Sequence, residues 1–441
     1  MSHHDIARDV YNALVIPTAT DGGALPPAFA DAHLRNAAAD SAKKPLSRED
    51  SNGESDLRGI LDAVASLCAS EPRHHRVAVS LVHMQDRIAL HIAQSAGEPA
   101  AAHIADMVYD AWTLLGEFSR TIGDRSARSA QAKTLGHEAQ RRVLERLVRH
   151  GVRRLRYRIL KHWDMFHDVC VRLQATQAKH TRTYEQFFAV ALRLAELRNA
   201  ILSPEQEDWG RQVAPHLGRL FIAAQRLSAK DCDLYSLFNQ LTRSATECQQ
   251  LMYQVIKYLS KCTRLVDNAN IVMKLATYGT HSSILRTPYF NVRLVACRHE
   301  HHPPSGTLLF SRGPSRTRNP QVPYRLHPEC ALLEYHHNAA SNTSPLLEAP
   351  SQILGASKIP CHACKTFYSA YASFYSEKRT QNEWSQYHVH MRLSPLTTAR
   401  MVQHDLWLPP HLDGVGQGVE AKFASQLLDQ YRQHMAESCT M

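Results

Sequence analysis

The chain has 441 residues, 44% of them hydrophobic and 21% charged, with a formal net charge of +10. That length exceeds one ordinary core and predicts two or three compact units. The absence of any apolar run of about eighteen residues, and a start from Met1 to Asp9 without a basic and then apolar leader pattern, argue against membrane insertion and secretion. An intracellular protein, cytoplasmic or nuclear, is expected. Ten cysteines are scattered along the chain and exclude a disulfide scaffold; of these, Cys361 and Cys364 alone have close metal-ligand spacing. The positive charge favours polyanionic partners.

Residues 1–70 read as a largely flexible lead-in, with room for one short helix. From Thr18 to Asp56 the composition is rich in Ala, Gly, Pro, Ser and charge and offers little to bury. Two alternating runs, Val77-Val79-Leu81 and Ile88-Leu90-Ile92, flank a polar break and predict a hairpin near 77–94. The surrounding region, 75–280, is otherwise helical in period. Ile104, Met107, Val108, Trp112, Leu115 and Phe118 share one face, and Leu144, Leu147, Val148, Val152, Leu155 and Ile159 another. A third stripe runs from Leu234 to Val266, and Gly279 is a plausible stop.

The helix from Arg141 to Lys161 carries nine Lys/Arg residues against the single Glu145. Arg142, Arg149 and Arg153 fall opposite its apolar stripe and are candidate contacts for nucleic acid phosphates or another acidic partner. The competing reading is an ordinary solvated face. Beyond Gly279 the texture changes to short strands and turns. Asn291–Arg298 and Gly306–Ser311 read as strands, followed by a helix at His327, a strand at Gln352–Ile359, a helix from Pro360 to Tyr375 and a strand at Tyr387–Leu393. This order predicts a mixed-sheet α/β domain over 286–400, at the C-terminal end of a mostly helical chain. A helix near Glu420–Met435 and a tail occupy 401–441.

The chemistry concentrates between His327 and Cys364. Pro328 suits a first helical turn, placing His327 at the cap and Glu329 just inside. Pro360 does the same for the next helix, with Cys361 and Cys364 one turn apart, where thiols ionise more easily. His327, Cys361 and Cys364 can hold zinc with the fourth position open to water. Glu329 is then free to act as a proton shuttle and not as a ligand.

The H-x-E and P-C-x-x-C pair resembles the zinc-dependent nucleoside and nucleic-acid deaminase superfamily. More narrowly HPECALLEY, ILGASKIPCHACKTFYSAY and YHVHMRL look like its OTT-like deaminase branch, which is expanded in fungi. The resemblance spans Pro288 to Arg400. It implies a cytidine deaminase-like fold with a three-layer mixed sheet, zinc on His327, Cys361 and Cys364, Glu329 as the catalytic residue, and a nucleotide or single-stranded nucleic acid substrate. Where the wider superfamily often has a small or hydroxyl residue and a carboxylate before the P-C pair, this chain has Ser357-Lys358-Ile359.

Three alternatives stand beside that reading. Cys330, one turn from His327, would complete a closed Cys₃His site whose role is stability in an interaction protein. The same domain could be catalytically silent and only bind. A redox role for Cys361 and Cys364 lacks the expected preceding βαβ context. Trp384 and Tyr387 are candidates for stacking on a substrate base. His299, His301, His302, His336 and His337 complete no ligand set by spacing.

Overall fold

The computed structural model describes residues 52–71, 75–83, 86–95, 98–122, 130–176, 181–203, 209–228, 232–277, 282–300, 324–342, 350–358, 360, 362–380, 407–408 and 410–439. The chain divides into two compact units. The first comprises Met1–Ala65, Arg76–Ser95 and Pro288–Met441; the second comprises Ser66–His75 and Ala96–Thr287.

The first unit is built on a four-stranded sheet. Strands β1 (Val77–His83) and β2 (Arg87–Gln94) pair antiparallel from Val77↔Gln94 to His83↔Ile88. β2 takes β3 (Tyr289–Val295) in parallel on its other edge. β1 takes β6 (Pro350–Ala356) antiparallel, with a register shift between Ser80 and Val82, so the order is β3-β2-β1-β6. A smaller sheet joins β4 (His299–Glu300), β5 (Tyr324–Leu326) and β7 (Trp407–Leu408).

This pairing corrects the expected fold class. The sheet is not assembled within 286–400 as the cytidine deaminase-like, three-layer expectation requires. Its strands lie at 77–94 and 289–356, within a chain whose described residues are mostly helical. The physical reason is burial. Every residue of β1 up to Val82 is buried, as is every residue of β2 from Ile88 onward. Strands buried on both faces belong in the centre of a sheet, and an isolated two-stranded hairpin is only marginally stable. Alternation marks a hairpin, but it does not reveal partners some two hundred residues away.

Helix α1 (Asn52–Cys68) extends order back into the stretch read as lead-in, because Ile60, Leu61 and Val64 bury a stripe at helical spacing. Its backbone lies against β6 at Gly355, where a Cβ would overlap the backbone of Leu61. Asp62 accepts the Ala356 N–H at 2.7 Å beside it. Helix α10 (Pro328–Asn342) packs on the strands of the main sheet. Helix α11 (His362–Thr380) pairs with α12 (Gly416–Cys439), Phe367 meeting Phe423 with ring centroids 5.5 Å apart. Cys330, Leu332, Leu333, Leu354, Cys364 and Phe367 share one core. The strands expected at Gly306–Ser311 and Tyr387–Leu393 lie outside the described residues.

The second unit is a helical assembly of α2 (Glu98–Ile122), α3 (Ala130–Lys161), α4 (Trp163–Gln174), α5 (Arg182–Leu202), α6 (Trp209–Leu227), α7 (Leu234–Asn239), α8 (Ala245–Thr277) and α9 (Ser282–Arg286). The apolar stripe of α3, from Leu144 through Ile159, is buried along with Leu194 and Leu197 of α5, Leu217 and Leu220 of α6, and Val255 and Leu259 of α8. Thr181 caps α5 by accepting the Tyr184 N–H at 3.2 Å. Arg154 is buried and donates to the carbonyls of Ser66 and Ala69 at 3.0 and 2.6 Å. Among the described residues no helix is long and apolar enough to cross a membrane.

Candidate metal centre

Two helix starts build the site. His327 follows β5, and its carbonyl accepts the Ala331 N–H at 2.9 Å, the first hydrogen bond of α10. Glu329 and Cys330 therefore sit in the first turn, after Pro328, whose missing N–H costs nothing there. Cys364 lies in the first turn of α11. His327, Glu329, Cys330 and Cys364 are all buried, each no more than 2% exposed.

His327, Glu329 and Cys364 offer ligand atoms that all lie within 4.8 Å of one another, a set that can hold a metal ion. His327 Nδ1 is 3.3 Å from Cys364 Sγ. Cys330 Sγ approaches Cys364 Sγ to 3.6 Å but does not belong to that mutual set. Among the described residues Glu329 Oε2 has no hydrogen-bond partner. Burial holds the Glu329 carboxyl above its usual range, against the opposing pull of the Arg76 and Lys358 charges.

Tyr368, one turn after Cys364, donates its hydroxyl to the Glu329 carbonyl at 2.8 Å and so ties the second helix to the backbone of the first. Burial pushes its phenol well above the ordinary range. Cys297 is driven up to about 12 by burial and then by the charge of Glu329. The sequence reading missed Tyr368, Arg76 and Cys297. Tyr368 was findable, because four residues from Cys364 puts it on the same face. Arg76 carries no local signal.

No family model, curated protein or solved structure matches the chain.

Of the expected ligands, His327 and Cys364 meet, with Glu329 beside them. Cys361, Trp384 and Tyr387 lie outside the described residues. Arg142, Arg149 and Arg153 are exposed on α3. Arg142 is held by Glu138 at 3.1 Å, and the neighbouring Arg141 by Glu138 and Glu145 at 2.7 and 3.1 Å, so this face is partly neutralised. His336 and His337 are structural. His336 Nε2 is 2.7 Å from Ser80 Oγ, and His337 bridges Tyr371 Oη and the Asp413 carbonyl at 3.1 and 3.0 Å. A cleft of about 460 Å³ lies between β3 and α10, lined by Arg293, Leu294, Ala331, Glu334, Tyr335 and Asn338; none of the site's donors lines it.

Proposed function

We propose that His327 and Cys364, together with Cys361, hold a zinc ion, and that Glu329 shuttles protons while an amino group is removed hydrolytically from a cytosine or adenine ring of a nucleotide or nucleic acid. The observation that carries this reading is the buried Glu329 carboxyl, with one oxygen unpartnered among the described residues and the His327 and Cys364 donors within 4.8 Å. A buried carboxyl oxygen without a hydrogen bond is costly unless it serves a reaction or a neighbouring cation.

The donor spacing fits the metal. Tetrahedral zinc with bonds of about 2.0 Å to nitrogen and 2.3 Å to sulfur sets a nitrogen and a sulfur about 3.6 Å apart, and two sulfurs about 3.8 Å apart. His327 Nδ1 and Cys364 Sγ stand 3.3 Å apart, close to the first of these separations. Zinc, when bound, makes hydroxide available from water near neutrality. Glu329 takes one proton of the water to the ring nitrogen and then carries the second, from the hydroxyl of the adduct, to the amine as the C–N bond breaks, leaving ammonia and a ring carbonyl. Tyr368 is a positioning residue that fixes the backbone carrying that carboxyl.

The approach of Cys330 to Cys364 favours a second reading, a closed Cys₃His site that braces the fold. Zinc content and ammonia release from nucleosides, nucleotides, single-stranded DNA and RNA separate the two. Under the first reading Glu329→Gln keeps zinc and fold and loses roughly 100-fold or more in release, the lower end of what a general acid–base group contributes. Zinc lost on Cys330→Ser, together with no release from any substrate by the unmodified protein, establishes the brace instead.

A further inference from the structure

Away from the Arg142 face, like charges also gather where the end of α3 crosses the middle of α8. Two hydrogen bonds fix the crossing: Tyr258 Oη donates to the Ile159 carbonyl at 2.7 Å, and Arg158 to the Lys261 carbonyl at 3.4 Å. Lys257, Lys261 and Arg264 recur at one-turn spacing along α8, and Lys161 at the end of α3 joins them. Arg264 acts on Arg158, which in turn acts on Lys261. The Lys261 ammonium is held below its usual range first by burial and then by Lys257, Lys161 and Arg158, and the His162 imidazole by burial, Lys261, Lys161 and Lys257.

Among the described residues none of Lys161, Lys257, Lys261 and Arg264 forms an ion pair, whereas Arg141, Arg142 and Arg146 of α3 each face a carboxylate. Asp267, which acts on Arg264, is half-buried and engaged by Thr263 at 3.4 Å. Uncompensated like charges this close cost free energy in the isolated protein and are relieved by an anion. Two tyrosines accompany the cations. Lys257 Nζ stands 5.0 Å from the ring centre of Tyr253, which is 43% exposed, and Lys161 Nζ stands 5.7 Å from that of Tyr157.

We propose that this patch binds single-stranded nucleic acid, with Lys161, Lys257, Lys261 and Arg264 on phosphates and Tyr253 stacking on a base. Cations set beside an exposed aromatic ring suit a strand whose bases are free to stack. A lipid surface would need the apolar face of α8 to be available, but Val255, Leu259, Cys262 and Val266 are buried. The inference does not depend on the metal-centre reading, since binding is measured without turnover.

The test is fluorescence anisotropy of the full chain with labelled oligo(dT), a duplex of equal length and phosphatidylserine vesicles, across a salt series. Four cations on a single strand contribute a log–log salt slope of about 3, at about 0.7 per phosphate. The Lys161→Gln/Lys257→Gln/Lys261→Gln/Arg264→Gln variant is expected to lose that slope and roughly tenfold or more in affinity near 0.1 M salt. Tyr253→Ala is expected to weaken oligo(dT) binding roughly tenfold and to leave the duplex unaffected. If circular dichroism shows the fourfold variant unfolded, Lys257→Gln/Lys261→Gln carries the same test with a slope loss of about 1.4. Oligo(dT) that fails to bind at low salt, binding unchanged by the lysine variants, or vesicles bound as well as oligo(dT) with no effect of Tyr253→Ala each overturns the proposal.

Discussion

Lowering the pH through the histidine range should weaken the sheet unit, and the loss can be worked out from two buried imidazoles. His91 of β2 stacks on His336 of α10 with ring centroids 4.9 Å apart and nitrogens 3.4 Å apart. Ser80 of β1 and Tyr335 of α10 enclose the pair, and Arg293 of β3 stands over the Tyr335 ring at 5.0 Å. Burial, and then Arg293, lowers His91 from 6.5 to about 4; burial, and then His91, lowers His336 from 6.5 to about 3. The folded state therefore keeps both rings neutral where the unfolded chain has begun to bind protons. Stability is complete above pH 6.5 and falls as pH drops toward 4, since the unfolded state holds more protons throughout that window. At pH 5 each ring forfeits about 1.5 pH units at 1.36 kcal/mol each, roughly 2 kcal/mol per ring and roughly 4 kcal/mol for the pair. Because the rings interact, these values describe the pair as a unit. Urea melts at pH 8, 7, 6 and 5 measure the loss, and comparison with His91→Gln/His336→Gln isolates it from the chain's other histidines. The reasoning is refuted if the double variant retains the full pH dependence of the unmodified protein.

Two further outcomes test the packing around the site. Gly355→Ala drives a Cβ into the Leu61 backbone and should cost about 1–3 kcal/mol, or displace α1, in urea unfolding; an unchanged midpoint would show that the approach of α1 to β6 is looser than the structure has it. Tyr368→Phe removes the donor to the buried Glu329 carbonyl at a cost of about 1–3 kcal/mol and is expected to lower turnover more than zinc content. Equal losses in both would make Tyr368 part of metal retention.

What was legible in the sequence divides by range. The apolar stripe of α3 and the alternation of β1 and β2 were readable because each is written in local periodicity, at 3.6 and at 2. That His327 and Cys364 stand near helix starts was readable from Pro328, the first residue of α10, and from Pro360, two residues before α11; that these two starts come together is written in neither. Nor was the sheet readable, since whether β1 and β2 stand alone or sit between β3 and β6 is decided by burial on both faces. The basic run of α3 was legible as a count of charges, but its compensation was not. Counting arginines along Arg141–Lys161 cannot show that Glu138, Glu145 and Asp110 compensate the early ones, nor that α8 brings Lys257 and Lys261 to Lys161.

The interleaving of the two units also orders events in time. The Val77 N–H donates to Ser357 Oγ, a contact between residues 280 positions apart. Closing a flexible loop of that length carries a length-dependent entropy cost of about 5 kcal/mol. During synthesis the whole of 96–287 emerges before β6 at Pro350–Ala356, so β1 and β2 are exported from the ribosome long before either outer strand exists to cover them. Collapse of the intervening helices shortens the loop that must then be closed, and the buried edges of the hairpin are the surface most exposed to mispairing until it is.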